Sequence, residues 1–367
     1  MVACIDWQGP ILFDPRGTFG HLRGMVAAGQ GVRVGSDGIT AIDAGHIECT
    51  TSGSSGAPKR IRRSLESWTR SFVRNGALFG LQDAVIGLPG TMAQSLTLYA
   101  ALEAAWAGAG LVDLSGLRAD RQLGQLVAHG VSHVYATPAQ AEMILMGEGN
   151  APSLRQWIIG GGRLSADLRQ RLAHRFPQAR VAQFYGASET SFITLDPGDA
   201  PEGSVGRAYP EVEIRTDGAG ELWVRSPYLF EGYGLGGSPE TRWSDDGFLS
   251  VGEIGQIDAD GYVYVQGRKG RVVQVLDHLV SPEPAEAFLS ERLGCPVAVV
   301  ARRDALRGAR LWAMVGQGPQ GAQVEEALAA FRHRVGPTAA PHGWQRVDPL
   351  PLLPSGKPDL QRLEAMI

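Results

Sequence analysis

The sequence predicts an α/β protein, with a large N-terminal α/β domain on a mostly parallel sheet, a β-rich subdomain after it, and a small α+β domain at the end. Three observations carry this. Helical and strand-like segments alternate from about residue 60 to 190, as in βαβ units. The pattern then changes to period two after about residue 200. Beyond Arg268 one apolar strand and one long amphipathic helix complete a smaller unit. Gly267 and Gly270 bracket Arg268 and Lys269, so the expected boundary divides the chain into domains 1–267 and 268–367, with a hinge at the junction. A chain of 367 residues is long enough for two or three domains.

In chain order, SLESWTRSFVRNGALFG has apolar residues at helical spacing, and AVIGLP is a short buried strand. SLTLYAALEAAWAGAG is a buried helix ended by Gly108 and Gly110, followed by the strand LVDL. VSHVYATP and QWIIGGG are further strands with helices after them, including SADLRQRLAHRF, for which Ser165 is the N-cap. VAQFYGASE closes the series. Gly and Pro clusters at the ends of these strands place loops at the C-terminal edge of the sheet, where open α/β sheets bind ligands. VEIRT, GELWVRS and GYVYVQGR are the period-two strands, and Asp260-Gly261 signals a hairpin. PVAVVAR is a strand and GAQVEEALAAFRHRV a helix of the last unit, ahead of a Pro-rich tail.

Composition excludes several functions. The chain is 44% hydrophobic and 20% charged with a net charge of −4, which leaves no electrostatic footprint for nucleic acid. Cys4, Cys49 and Cys295 are widely spaced, form no metal-ligand pattern and argue for a reducing compartment. No stretch reaches eighteen uninterrupted apolar residues, and MVACIDWQGP lacks a basic region followed by an apolar one. The expectation is a cytoplasmic protein with neither membrane nor nucleic acid as partner.

Five segments could carry chemistry. TTSGSSGAPK, from Thr50 to Lys59, offers glycine backbone N–H groups, hydroxyl donors and one lysine that could converge on an anion. It is not a P-loop, because Ala57-Pro58 separate Gly56 from Lys59. A plain surface loop is the alternative. FYGASET, from Phe184 to Thr190, follows a strand with an aromatic to stack on a base, Ser188 to donate to a phosphoryl oxygen and Glu189 to hold Mg²⁺; a simple turn is its alternative. In GEIGQIDADGYVYVQGRKG, antiparallel pairing can bring Glu253 and Arg268 to one ligand, or merely into a surface ion pair. PSGK near the C-terminus presents Lys357 on a turn, and Gly160 to Gly162 could let backbone approach a ligand closely.

The order of these motifs, TSGSSGAPK, GGG, YGASE, GELWVRS, VGEIG with GR, and PSGK, resembles the adenylate-forming superfamily of acyl-CoA synthetases, nonribosomal-peptide adenylation domains and luciferases, from about Thr50 to Lys357. The resemblance implies that Thr51, Ser52, Gly53, Ser54, Ser55, Gly56 and Lys59 wrap the ATP β- and γ-phosphates. It places Tyr185 and Gly186 with Gly161 and Gly162 at the nucleotide, Ser188 at the α-phosphate and Glu189 on Mg²⁺. Glu253 stands where the family usually has an aspartate to the ribose hydroxyls, with Arg268 as its partner. Lys357 matches the catalytic lysine of a mobile C-terminal lid, which bridges acid carboxylate and α-phosphate. The implied cofactors are ATP, Mg²⁺ and CoA.

Three departures qualify the resemblance. The phosphate loop begins at Thr50, where the family usually carries a further subdomain first, so a shortened member is expected, with part of the acid-pocket wall or dimer surface missing. GLPGTMAQS, from Gly87 to Ser95, lacks the histidine that many members carry there. Asp277 aligns with the glycine beside the pantetheine tunnel, and Gly270 with the hinge residue. An acidic group would repel the incoming thiol, and glycine would loosen the domain rotation. The leading reading is therefore activation of a carboxylic acid through an acyl-adenylate with pyrophosphate release, then transfer to CoA. Loading of an acyl carrier protein, amide formation and non-catalytic nucleotide binding are the alternatives, and a homodimer stays open. The segments Gly87 to Thr97, Gly160 to Arg163 and Phe184 to Phe192 are small and apolar, which favours a compact aromatic or aliphatic acid over a dicarboxylate.

Overall fold

The computed structural model describes residues 5–35, 38–52, 58–276, 278–304, 306–353 and 358–367, with backbone alone at 51, 52, 58 and 279. Its centre is an eight-stranded sheet in the order Ile11–Phe13, Gly110–Asp113, Val85–Leu88, His133–Ala136, Gln156–Ile159, Arg180–Ala187, Ser191–Asp196, Arg207–Ala208. The first six are parallel and the last two antiparallel, so the expected parallel sheet ends where Arg180–Ala187 turns back on itself. The helix Ser95–Ala107 is buried on nearly every side, which is why its sequence is apolar all round. It stops at Gly108, whose φ of 74° is left-handed. Ser64 caps the helix Leu65–Asn75 by accepting from Ser67 N, and one π-turn, Gly76–Gly80, completes the segment that the spacing marked as helical. Ser165 caps Ala166–Arg175 as expected.

A second sheet runs Gly232–Leu235, Pro58–Ser64, His46–Ser52, Gly31–Gly35, Gly38–Ile42. A third holds Glu213–Thr216, Leu222–Arg225, Leu249–Ser250 and Arg242–Trp243. Glu253–Ile257 and Val263–Arg268 form the expected hairpin. Its connection is longer than the two-residue turn that Asp260-Gly261 signals: Asp258 Oδ1 accepts from Asp260 N and Tyr262 N, and Gly261 takes φ 82°.

The last unit has a sheet of His278–Val280, Val273–Val275, Gly308–Val315 and Val297–Asp304, with Gly343–Arg346 added parallel to Gly308–Val315. Helices Glu283–Leu293 and Gly321–Val335 cover one face. Of the hydrophobic clusters, two draw on residues 5–249 and two on residues 275–363. Among the described residues no helix is long and apolar enough to cross a membrane. Cys49 is a buried free thiol and Cys295 a partly buried one.

Candidate active site

TTSGSSGAPK joins two antiparallel strands. Thr51 pairs with Lys59 and Ser52 with Pro58 across these strands. Gly53, Ser54, Ser55 and Gly56 lie outside the described residues, as do Asp277 and Lys357. Lys59 is described and is 9% exposed. Along KRIRR the strand alternation turns Lys59, Ile61 and Arg63 inward and leaves Arg60 and Arg62 outward. The outward pair meets Glu48, which accepts from Arg33 Nε at 2.7 Å and Arg62 Nη1 at 2.9 Å. Burial alone would raise the Glu48 pKa, but these arginines hold it below the usual carboxylate value.

FYGASET closes the hairpin between Arg180–Ala187 and Ser191–Asp196. Gly186 is required there, because a Cβ would stand 1.8 Å from Ser191 O. Thr190 Oγ1 accepts from Ala187 N at 3.0 Å and fixes the turn. Beyond it, Glu189 Oε1 accepts from the Tyr233 hydroxyl at 2.8 Å, and that hydroxyl also meets Thr241 Oγ1 at 2.8 Å. The second oxygen of Glu189 has no hydrogen bond to a described residue. The turn thus presents a carboxylate held from one side.

Gly160–Gly162 follows the strand beside it, at the same edge of the sheet. Gly160 gives room to the Phe184 ring, which a Cβ would meet at 2.0 Å. Gly161 has φ 75°, and Gly161 and Gly162 lie over Thr137 and Pro138 at the start of the helix Pro138–Leu145.

The hairpin at 253–268 does bring Glu253 and Arg268 together. They are direct register partners, and Arg268 Nε donates to Glu253 Oε1 at 2.9 Å. Glu253 is buried, while Arg268 keeps 43% of its side chain exposed. The Tyr185 hydroxyl lies near the same carboxylate, and burial, with the Glu253 charge, pushes its pKa well up. The Glu253 charge raises the Arg268 pKa. Tyr185, Glu253 and Arg268 therefore lie together, with part of the Arg268 side chain exposed.

Sequence reasoning missed three residues of this neighbourhood. Tyr233 fixes Glu189, and nothing in its own segment signals that. Arg63 lies on the inward face of its strand, an alternation that the four cations of Pro58–Ser64 conceal. Its buried guanidinium donates to Ser188 O, within the turn itself. Glu240 lies between Lys59 and Arg268 electrostatically; the Ser238 hydroxyl, donating at 2.6 Å, and these two cations hold its pKa down. It also alters the view of Gly270. A Cβ there would meet Glu240 Oε1 at 2.7 Å, so the missing side chain makes room for this carboxylate.

The donor set suits Mg²⁺ held with a nucleotide. Among the described residues no group of three or more His, Cys, Asp or Glu could hold a metal alone. One carboxylate is enough for Mg²⁺ when phosphates and waters supply its other ligands. A family model described as AMP-binding enzyme matches residues 47–234, which span both glycine-rich loops and the YGASE turn. The chain belongs to this family. Among its curated relatives, an uncharacterized acyl-CoA ligase of Bacillus subtilis, YhfT, is 29% identical over 325 residues, covering 84% of this chain and 65% of that protein. The fold is that of o-succinylbenzoate CoA synthetase from Bacillus subtilis, solved with an acyl-adenylate intermediate, at TM-score 0.76 and 22% identity over 87% of this chain and 68% of that one. It is equally that of the amide bond synthetase McbA from Marinactinospora thermotolerans, at TM-score 0.75 and 23% identity over 90% and 72%. This AMP-binding chain spans 55 to 65% of the length of the first curated relatives it matches.

Proposed function

We propose that the chain activates a carboxylic acid with ATP through an acyl-adenylate, releasing pyrophosphate, and passes the acyl group to CoA. The observation that carries this reading is the Tyr185, Glu253 and Arg268 cluster, which stands beside the Ser188–Glu189 turn at the C-terminal edge of the sheet in an AMP-binding fold. The acyl-CoA ligase relative supports the acid and thiol, and the acyl-adenylate complex of a structural neighbour supports the intermediate.

Bound Mg²⁺ would neutralise phosphate charge, and Glu189 is the residue to hold it. Glu253 and Arg268 would take the ribose hydroxyls, with Tyr185, Gly161 and Gly162 along the base. Thr51 to Gly56 with Lys59 would cradle the β- and γ-phosphates, and Ser188 would donate to the α-phosphate. Attack of a carboxylate on the α-phosphorus brings two anions together, so fixed donors and cations must offset their repulsion as charge builds. Lys357 is proposed to do this from a C-terminal lid of residues 268–367, turning about the Gly267–Gly270 segment. A cytoplasmic location belongs to the same reading.

Asp277 at the position of the tunnel glycine favours a second reading, in which the acceptor is an amine or a carrier protein rather than free CoA. The test is pyrophosphate release from ATP and Mg²⁺ over a panel of carboxylic acids, with and without CoA. Acid-dependent release is expected, with a thioester product when CoA is present. Lys357→Ala lowers the rate about 10²- to 10³-fold. Release that no acid stimulates overturns the proposal, and release without thioester moves it to the second reading.

A further inference from the structure

We propose that Arg63 is a positioning residue of this site: its buried guanidinium staples the Ser188–Ser191 turn to the strand that carries Lys59, and so fixes where Ser188 and Glu189 are presented. This rests on the adenylation reading above.

Arg63 is 1% exposed and lies on the inward face of Pro58–Ser64 with Ile61 and Lys59. Its Nη2 donates to Ser188 O. Its Nη1 donates to Ser191 Oγ at 2.8 Å, Tyr228 O at 3.1 Å and Ser67 Oγ at 3.3 Å. The Trp68 ring lies 5.0 Å from the guanidinium carbon, and Trp68 Nε1 donates to the same Ser191 Oγ at 3.0 Å. Every one of these hydrogen-bond acceptors is neutral, and Nε has no partner at all among the described residues.

That arrangement is costly as scaffold. A buried charge without a carboxylate partner is among the more unfavourable features a core can hold, and neutral side chains could bridge two or three acceptors without it. Ser191 adds to the cost with φ 56°, a left-handed conformation that non-glycine residues rarely adopt. Both features concentrate on one turn, the turn that bears Ser188 and Glu189. Fork geometry accounts for the choice of arginine, since a planar guanidinium can grip a carbonyl on one nitrogen and a hydroxyl with a second carbonyl on the other. Its positive charge also acts on Glu189 and on the nearby Cys49. The staple therefore joins the strand that carries Lys59 to the Glu189 turn.

The test uses the full chain with Arg63→Lys, which keeps the charge but loses the fork, and Trp68→Phe, which keeps the ring but loses the Nε1 donor. Pyrophosphate release is followed against Mg²⁺ concentration, well below the melting temperature of each variant. In Arg63→Lys the half-saturating Mg²⁺ concentration rises about tenfold and kcat falls about 10- to 100-fold, while the KM for the acid changes by less than about twofold. Trp68→Phe moves in the same direction by less. An Arg63→Lys protein that melts earlier but keeps the Mg²⁺ dependence and rate of the parent overturns the inference. If the parent releases no pyrophosphate with any acid, the functional reading fails and the inference is read from Mg²⁺-dependent ATP binding by calorimetry. Binding about tenfold weaker in Arg63→Lys then supports it, and equal binding overturns it.

Discussion

Glu103 shows how far a single residue can depart from what its neighbours in sequence suggest. It sits in the apolar helix Ser95–Ala107, fully buried, and accepts from Asn75 Nδ2 at 2.8 Å, Tyr99 OH at 3.0 Å and the Tyr135 hydroxyl. Tyr209 OH extends the network to Asn75 Oδ1 at 2.7 Å. Burial pushes the Glu103 carboxyl up to about 7, with these three donors opposing. The folded chain therefore binds this proton more tightly than the unfolded chain does. Its contribution to stability is full below the unfolded value of 4.5 and is lost as pH rises through about 7. The difference amounts to about 3 kcal/mol. Glu103→Gln stays neutral throughout, so the melting temperature of the variant gains on that of the parent between pH 5 and 8. Equal pH profiles for the two proteins would show that Glu103 ionises normally. Arg268 gives a second prediction at this scale. Arg268→Lys cannot hold Glu253 through Nε and turn a second nitrogen to a ligand, so ATP binding weakens about tenfold by calorimetry while melting changes little.

Turn chemistry decides the elements that build the site. Gly186→Ala sets a methyl 1.8 Å from Ser191 O, backbone that cannot yield cheaply, and denaturant unfolding should show a loss of about 3 kcal/mol or more. Asp258 bonds two backbone N–H groups of the 253–268 hairpin loop. Asp258→Ala should cost about 1 kcal/mol and loosen the opposition of Glu253 and Arg268. The strands and helices around these turns were legible because period-two and helical spacing differ sharply over segments such as GELWVRS and SADLRQRLAHRF. The strand Pro58–Ser64 was not, since four of its seven residues are cationic and charge hides the alternation of Lys59, Ile61 and Arg63.

At the scale of the whole molecule, hydrophobic clusters that share no residue across position 267 make two melting events the expected behaviour. The proposed nucleotide site draws mainly on the first unit, so by mass action Mg²⁺ and ATP at a hundred times Kd should raise that transition by about 2.7 kcal/mol equivalent. Calorimetry with and without Mg²⁺ and ATP checks this. One cooperative transition that ATP leaves in place would contradict both parts. Gly270→Ala would displace Glu240 from its seat against the 269–271 turn, and the proposed lid motion predicts that thioester formation suffers more than pyrophosphate release.

By itself the sequence determined the α/β architecture, the order of the glycine-rich and acidic motifs, and the opposition of Glu253 to Arg268. These follow from local spacing and from the geometry of a hairpin, which the chain carries within short segments. Tertiary structure alone decided that Tyr185 comes near the Glu253 carboxylate, that Tyr233 fixes Glu189, that Glu240 fills the space over Gly270 and that Arg63 reaches Ser188. Each of these contacts joins residues far apart in the chain, and their placement depends on how sheets stack rather than on any period in the sequence.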